Sequence, residues 1–181
     1  IVLIEDIWEE NNTIYIRMEY IRGENLLVLL KNKGGPLKEK EIIPYFEQIC
    51  HTLKKIHAEG VLHKDIKPSN IMIDKQGHAK LIDFGTARKV VKQEDKTQSI
   101  ELTHGYAPKE QYNRKGKPNN TLDIYSLGAT LYYCLTGKRP DDARNLEFHP
   151  LPEPQSENPD VSNGVNFAIM TAMQADPAKR Y

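Results

Sequence analysis

The chain of 181 residues has little cysteine, no net charge and no long apolar run. Its 25 basic and 25 acidic side chains cancel, so the composition gives no broad electrostatic attraction for nucleic acid or for an anionic membrane surface. No apolar stretch reaches the ~20 residues that a bilayer-spanning helix needs. We therefore expect no nucleic-acid partner and no direct membrane contact from this segment.

The two cysteines, Cys50 and Cys134, lie in apolar, helix-like stretches without metal-ligand spacing. We interpret both as buried thiols in a reducing compartment, which predicts a cytoplasmic location. The full-length protein could still be anchored in a membrane with this domain in the cytosol. Because the chain opens on the apolar run Ile1–Ile4 without an initiator Met or a basic leader, we expect it to be a piece of a longer protein.

The periodicity of the chain predicts more helix than strand. Apolar residues recur at three- and four-residue spacing over 38–58, and Gly60 should end this helix. Residues 1–8 are rich in β-forming side chains and residues 13–20 alternate, which predicts an antiparallel hairpin. The remaining predicted elements are helices over 25–31, 123–136 and 165–173, strands over 71–73 and 79–82, a loop over 86–102 and an irregular stretch over 151–159. Because strands and helices do not alternate regularly, this order predicts an α+β fold.

Two polar motifs carry the chemistry: His-Lys-Asp-Ile-Lys-Pro-Ser-Asn at 63–70 and Asp-Phe-Gly at 83–85. Phosphoryl transfer to a hydroxyl needs a carboxylate to orient the hydroxyl and take its proton, a cation for the phosphate and oxygen ligands for Mg²⁺. Mg²⁺ usually takes only one or two ligands from the protein. A short hairpin between the motifs would bring both to one edge. The two motifs supply these groups as Asp65, Lys67, Asn70 and Asp83.

The spaced pair of motifs resembles the catalytic loop and the magnesium-binding loop of protein kinases, and the resemblance extends along nearly the whole chain. It points to the bacterial form of the serine/threonine protein kinases. It implies the protein-kinase-like fold, with residues 1–21 as a two-strand remnant of the N-terminal lobe with the hinge. Residues 22–181 would be the mostly helical C-terminal lobe, with the catalytic loop at 63–70 and the activation segment at 83–110.

The resemblance implies ATP and Mg²⁺ as cofactors, a protein substrate, and a role for each matching residue. Asp65 would be the catalytic base, Lys67 would contact the γ-phosphate, and Thr103 would hydrogen-bond both. Asn70 would also belong to the catalytic set and would share a magnesium ion with Asp83. The adenine would meet the gatekeeper Met18, the backbone of Glu19 and Ile21, and Met72 beneath the ring. The implied cofactor-binding residues are therefore Met18, Glu19, Ile21, Met72, Lys67, Asn70 and Asp83.

Two further matches concern support of the site rather than chemistry. Glu110 matches the glutamate that closes the activation segment, and Arg180 matches its partner in an ion pair that folding should need, because an unpaired inward charge is costly. Asp123 matches the aspartate that anchors the catalytic-loop backbone. Its alternative reading is a plain helix N-cap, for which Asp is a favoured residue.

The sequence departs from the family pattern in three places. Lys64 replaces the Arg that commonly pairs with a phosphate on the activation loop, and Lys keeps the charge without the bidentate fork. The closing Ala-Pro-Glu reads Pro-Lys-Glu at 108–110. No glycine-rich loop, phosphate-pairing lysine or partner glutamate is present, so we expect this chain alone to be inactive.

Two alternatives to an ATP-dependent serine/threonine protein kinase stay open. A pseudokinase acting as a scaffold would share the fold, although such proteins typically lose one of the residues retained here at 65, 67, 70 and 83. A small-molecule kinase of the aminoglycoside or choline type would share the His-x-Asp loop. Those enzymes lack the segment over 103–110 and its Arg180 partner.

Overall fold

The computed structural model describes residues 1–83, 88–89, 104–112, 119–146 and 148–181. Within these ranges the strands are β1 (Ile4–Glu10), β2 (Thr13–Met18), β3 (Gly23–Asn25), β4 (Val61–Leu62), β5 (Ile71–Asp74), β6 (Ala79–Leu81) and β7 (Arg88–Lys89). The α-helices are α1 (Leu26–Lys33), α2 (Glu39–Ala58), α3 (Thr121–Thr136), α4 (Pro154–Glu157) and α5 (Asn163–Ala172). Single 3₁₀ turns lie at Pro68–Asn70, Lys109–Tyr112 and Pro177–Lys179. No helix in the described ranges has both the length and the apolar character needed to cross a membrane.

The predicted N-terminal hairpin is confirmed. Strands β1 and β2 pair antiparallel, and Trp8 stacks on its cross-strand partner Tyr15 at a centroid distance of 5.3 Å. The connecting residues Asn11 and Asn12 have φ of 52° and 56°. Two successive left-handed residues form the turn whose twist matches that of a two-stranded ribbon, and Asn tolerates this conformation better than most side chains.

The hairpin is joined to the rest of the molecule at its base. All residues of β1 and β2 are exposed, whereas Val2 just before them is buried. The Val2 amide donates to the Leu81 carbonyl oxygen at 3.0 Å, next to the three-stranded sheet β3–β5–β6. The sheet β5–β6 therefore connects the hairpin to the helical body.

Helices α2 and α3 provide the core of that body. Five residues of α2 form one buried stripe at three- and four-residue spacing, as the periodicity predicted: Ile42, Phe46, Ile49, Leu53 and Ile56. Helix α3 is buried on almost every side, which is typical of a helix at the centre of a domain. Gly60 and Gly137 follow the two helices with φ of 69° and 70°, in the left-handed conformation that commonly ends a helix.

The observed architecture is α+β and matches the expected protein-kinase-like fold in its helical part, but several short elements differ from the prediction. The expected loop over 86–102 lies mostly outside the described residues, and its two described residues form β7 against β4. The stretch over 151–159 is not wholly irregular, because it contains α4. Elements of two to four residues are too short to show a hydrophobic period, and β3, β4 and β7 exist through tertiary pairing alone.

The prediction that both cysteines are buried was wrong for Cys50. Cys134 in α3 is fully buried, whereas Cys50 is exposed. Cys50 follows Ile49 by one residue, and one residue turns an α-helix by about 100°, so its side chain leaves the buried stripe of α2.

Helices α3 and α5 pack closely at Gly128. A β-carbon built on Gly128 would lie 2.8 Å from the Ala172 β-carbon and 3.1 Å from the Met173 γ-carbon. Real β-carbons essentially never reach the shorter distance, so glycine is required by packing and not by backbone conformation. The contact holds α3 against α5.

We expect Gly128→Val to lower the free energy of unfolding by about 1–3 kcal/mol, because the added side chain overpacks this contact. Gly164→Ala in the first turn of α5 is the matched control, since its added methyl meets no atom within 4 Å. That control should be neutral or slightly stabilising. Urea denaturation followed by circular dichroism measures both, and equal stability of the two variants would contradict the packing argument.

Candidate active site

Asp123 in the first turn of α3 anchors the backbone of the 63–70 loop. Its side chain is fully buried, its Oδ1 accepts from the Lys64 amide at 2.8 Å and its Oδ2 accepts from the His63 amide at 2.9 Å. The ring Nε2 of His57 in α2 donates to the same Oδ2 at 2.8 Å. The anchoring role expected for Asp123 is therefore observed. The N-cap reading is wrong, because Asn120 occupies that position.

Two residues at the site hold a left-handed backbone without being glycine. Lys64 has φ of 67° and Asp83 has φ of 64°. This conformation costs an ordinary side chain roughly 1–2 kcal/mol and persists only where the surroundings impose it. For Lys64 the surroundings include the charge-assisted bond from its amide to Asp123. Such strain is concentrated at functional sites in proteins.

His63 links the 63–70 loop to the residue before Asp83. Its ring is buried, its Nε2 lies 3.1 Å from the Ile82 carbonyl oxygen and its Nδ1 lies 3.3 Å from the Asp65 amide. A carbonyl oxygen can only accept and an amide can only donate, so Nε2 carries the proton and Nδ1 is an acceptor. Burial lowers the pKa of His63, and the nearby Asp123 carboxylate opposes this shift without cancelling it. His63 is thus neutral.

Two of the predicted polar groups of the 63–70 loop, those of Lys67 and Asn70, lie within hydrogen-bonding distance of the third, Asp65. Lys67 Nζ is 2.8 Å from Asp65 Oδ2. Asn70 Nδ2 donates to Asp65 Oδ2 at 2.9 Å and to the Asp65 carbonyl oxygen at 2.8 Å. The 3₁₀ turn Pro68–Asn70, with proline at its start, brings Asn70 back over Asp65.

Asp83 lies beside this cluster because the two chain segments are hydrogen-bonded. The Ile82 amide donates to the Asn70 carbonyl oxygen at 3.0 Å, and the next residue, Asp83, is exposed at the end of β6. Both Nδ2 hydrogens of Asn70 are directed to Asp65, so its Oδ1 faces another direction, 3.4 Å from the Ser69 hydroxyl. The structure therefore brings Asp65, Lys67, Asn70 and Asp83 to one edge.

The residues expected to meet adenine lie around the base of the hairpin. Met18 ends β2 and is 42% exposed, so it is not a core methionine in this structure. Glu19 is joined to β6 through an ion pair with Lys80 at 2.7 Å, and Lys80 is the cross-strand partner of Met72. Ile21 is half-buried. The Glu19 amide donates to the Leu3 carbonyl oxygen at 2.9 Å.

The expected ion pair between Glu110 and Arg180 is present. Arg180 Nη1 lies 2.5 Å from Glu110 Oε1, and Nη2 lies 3.3 Å from Oε2. The guanidinium is fully buried, donates further to the Gln174 and Thr121 carbonyl oxygens, and lies over the Tyr125 ring at 4.9 Å. A fully buried guanidinium needs such partners, so Arg180 fixes the end of the 104–112 segment against α3.

Some predicted residues lie outside the described part of the chain, and some contacts were not predicted. Thr103 and the Phe84 of the Asp-Phe-Gly motif lie outside the described residues, so the expected role of Thr103 stays a prediction. The roles of His57, Lys80 and Gln111 were missed. Each is a polar residue that contacts the site from a distant segment, and the spacing of polar residues in a sequence does not reveal such pairs.

Comparison with known sequences matches this site to a family. The protein kinase domain family matches residues 1–177 of the chain. The chain belongs to the protein kinase domain family. The expected membership is thereby confirmed.

Three relatives illustrate the range of the family. Serine/threonine-protein kinase PrkC of Bacillus subtilis is 36% identical over the whole chain, which covers 29% of that protein. Serine/threonine-protein kinase cds1 of Schizosaccharomyces pombe is 31% identical over 99% of the chain and 42% of its own length. CBL-interacting serine/threonine-protein kinase 3 of Arabidopsis thaliana is 32% identical over 81% of the chain and 33% of its own length. The chain therefore spans between about a quarter and less than half of the length of these relatives. The similarity to PrkC agrees with the expected likeness to bacterial members.

Members of this family use ATP and Mg²⁺. The donor set at the site suits Mg²⁺, which prefers oxygen ligands and takes few of them from the protein. The exposed Asp83 carboxylate and the Asn70 Oδ1 are such oxygens, on segments joined by the bond from Ile82 to Asn70. The residues present therefore fit the ion.

We expect Asp123→Asn to lower the free energy of unfolding by about 2–4 kcal/mol. The variant replaces one charged acceptor oxygen by an amide group that can only donate. This group faces a donor, either a backbone N–H of the loop or the His57 ring, so a buried hydrogen bond is lost. Asp160→Asn is the control, because Asp160 is exposed and its change should stay within about 0.5 kcal/mol. Urea denaturation measures both. A difference below 1 kcal/mol between the variants would contradict the anchoring role of Asp123.

We also expect the free energy of unfolding to fall as the pH is lowered from about 6.5 to 5, because the pKa of His63 is lowered in the folded state. In this window the unfolded chain binds a proton that the folded chain excludes, so acid favours unfolding, by at most about 1.4 kcal/mol per pH unit. His63→Gln should flatten this slope and His149→Gln, at an exposed position, should not. Urea denaturation at several pH values gives the slopes. An unchanged slope in His63→Gln would show that His63 is not the group responsible.

Proposed function

We propose that this chain is the ATP- and substrate-engaging part of a serine/threonine protein kinase that transfers the ATP γ-phosphate to Ser or Thr hydroxyls of proteins. The observation that carries the proposal is the cluster of Asp65, Lys67 and Asn70, with Asp83 beside it, in a member of the protein kinase domain family. The relatives are named serine/threonine-protein kinases, which supports Ser and Thr as acceptors. Lys67 supports the same choice, because serine/threonine kinases carry Lys at this position.

In the proposed mechanism, Asp65 orients the acceptor hydroxyl and takes its proton. The bonds from Asn70 to its carboxylate and carbonyl oxygens limit rotation of the Asp65 side chain, so the base is held before the hydroxyl arrives. Lys67 places an ammonium 2.8 Å from Asp65 Oδ2, where it can neutralise a phosphate that approaches the same hydroxyl. Thr103 is proposed to support both residues.

The proposed magnesium ligands are Asn70 and Asp83. A bound Mg²⁺ would supply charge neutralisation on the phosphate oxygens. Asp83 follows β6 and holds a left-handed backbone, with φ of 64°. The bond between Ile82 and Asn70 keeps the two ligand segments together.

The proposed adenine site consists of Met18, the backbone of Glu19 and Ile21, and Met72. The Glu19–Lys80 pair supports it by joining the end of β2 to the strand that neighbours Met72. In this proposal residues 1–21 belong to the small lobe and hinge and residues 22–181 to the large lobe. Neither cysteine forms a disulfide, which suits a domain in the reducing cytosol.

We expect Asp65→Asn in the full-length protein to lower kcat for phosphorylation of a protein substrate by ~10²–10⁴-fold, because Asn cannot accept the proton. Asp83→Asn should instead raise the Mg²⁺ and ATP concentrations needed for half-maximal rate. Asp160→Asn is the control for an exposed carboxylate remote from the cluster. Transfer of γ-phosphate from radiolabelled ATP to Ser or Thr measures all three.

The same assay separates the remaining alternatives. A full-length protein that binds its partners but transfers no phosphate would be a pseudokinase scaffold. Transfer to a small alcohol and not to protein would indicate a small-molecule kinase. Near-normal protein phosphorylation in both Asp65→Asn and Asp83→Asn would show that the proposed roles are wrong.

A further inference from the structure

Gln111 connects the 104–112 segment to the 63–70 loop. It lies in the 3₁₀ turn Lys109–Tyr112, and its Nε2 donates to the Lys64 carbonyl oxygen at 2.7 Å. A carbonyl oxygen can only accept, so the nitrogen of the Gln111 amide must face Lys64. Its Oε1 is buried and has no hydrogen-bond partner in the described part of the chain.

This arrangement is not explained by stability alone. The free-energy cost of a buried acceptor without a partner equals or exceeds what an ordinary hydrogen bond contributes. The side chain of Gln111 therefore gives little net stabilisation in this position. A buried polar atom without a partner, such as Gln111 Oε1, needs a specific explanation. We find this explanation in the contact of Gln111 with the Lys64 carbonyl.

Gln111 holds the peptide that leads into Asp65. This peptide comprises the Lys64 carbonyl and the Asp65 amide. Gln111 binds the carbonyl, while His63 Nδ1 accepts from the Asp65 amide at 3.3 Å. The Lys64 amide on the other side of the strained φ of 67° is bound by Asp123. Because both ends of this peptide are held, it cannot rotate without breaking a bond, and its rotation would redirect the Asp65 side chain.

The turn that carries Gln111 is itself fixed on both sides. Glu110 is paired with the buried Arg180. The Tyr112 hydroxyl donates to Asp142 at 3.2 Å, and the Arg144 guanidinium lies over the Tyr112 ring at 4.2 Å. Gln111 can therefore transmit the position of the 104–112 segment to the loop that bears Asp65.

We propose that Gln111 is a positioning residue for phosphoryl transfer, which acts by fixing the Lys64–Asp65 peptide and through it the direction of the Asp65 carboxylate. The proposal deepens the proposed function and rests on it for its kinetic consequence. Its structural part concerns only the bond between Gln111 and Lys64 and can be tested separately.

The first test is Gln111→Met in the full-length protein, which keeps the length of the side chain and removes the donor. We expect kcat to fall on the order of 10- to 100-fold, because a small misplacement of a reacting group costs this much, with KM for ATP within about twofold of the original value. The matched control is Gln48→Met. Gln48 is also half-buried and also donates to a backbone carbonyl, that of Gly77 at 3.1 Å, at the far end of the β5–β6 hairpin. The control should keep kcat.

The second test is the pH dependence of kcat in Gln111→Glu, which a purely structural role of Gln111 would not change. An ionised carboxylate repels the Lys64 carbonyl, whereas a protonated carboxyl can donate to it. The ratio of the variant's kcat to that of the unaltered protein should therefore rise as the pH is lowered. A ratio that does not change with pH would overturn the proposal.

Hydrogen exchange separates this proposal from the proposed function. In Gln111→Met the Asp65 amide should exchange on the order of 5- to 10-fold faster, because the peptide that carries it is then held at one end only, and in Gln48→Met it should not. If the unaltered protein transfers no phosphate but this exchange difference is present, the proposed function fails and the positioning of the Lys64–Asp65 peptide stands. If the unaltered protein is active and Gln111→Met behaves like Gln48→Met in both kcat and exchange, Gln111 has no positioning role.

Discussion

The buried carboxylate of Asp123 is the constraint on which the geometry of the 63–70 loop depends. A carboxylate inside a protein is tolerable only when its oxygens accept several hydrogen bonds. Here two loop amides and the His57 ring supply them. The cost of leaving any of these groups unpaired is large. The loop therefore has one low-energy position relative to α3, the most buried helix of the described structure.

The remaining contacts fix the orientation of the 63–70 loop. Asp123 binds the backbone amides of the loop, Gln111 binds a carbonyl, and His63 joins the loop to the residue before Asp83. These bonds hold Lys64 and Asp83 in left-handed conformations that their side chains disfavour. The backbone strain is thus balanced by contacts with α3, with the 104–112 segment and with Ile82 after β6. These contacts keep the loop that bears Asp65 next to the segment that leads into Asp83.

The long helices and the polar residues of the candidate active site could be predicted from the sequence. The contacts that support this site could not. The apolar residues of helix α2 recur at a regular helical period, which predicts the helix. Asp65, Lys67 and Asn70 are close in sequence, so a single loop brings them together. Gln111 is 47 residues from Lys64, and its bond to a backbone carbonyl leaves no pattern in the sequence. The same holds for the two-residue strands β4 and β7, whose pairing is decided by tertiary structure.

The backbone and the side chain of Lys64 have different roles. All the bonds described here that fix this residue are made by its amide and its carbonyl. Arg can make the same two backbone bonds as Lys, so an exchange between them keeps these bonds and changes what the side chain can bind. A guanidinium engages a phosphate with two parallel bonds, whereas an ammonium acts as a point charge. In our proposal, the contact of Gln111 with the Lys64 carbonyl supplies a fixed restraint on Asp65 that does not involve the side chain of Lys64.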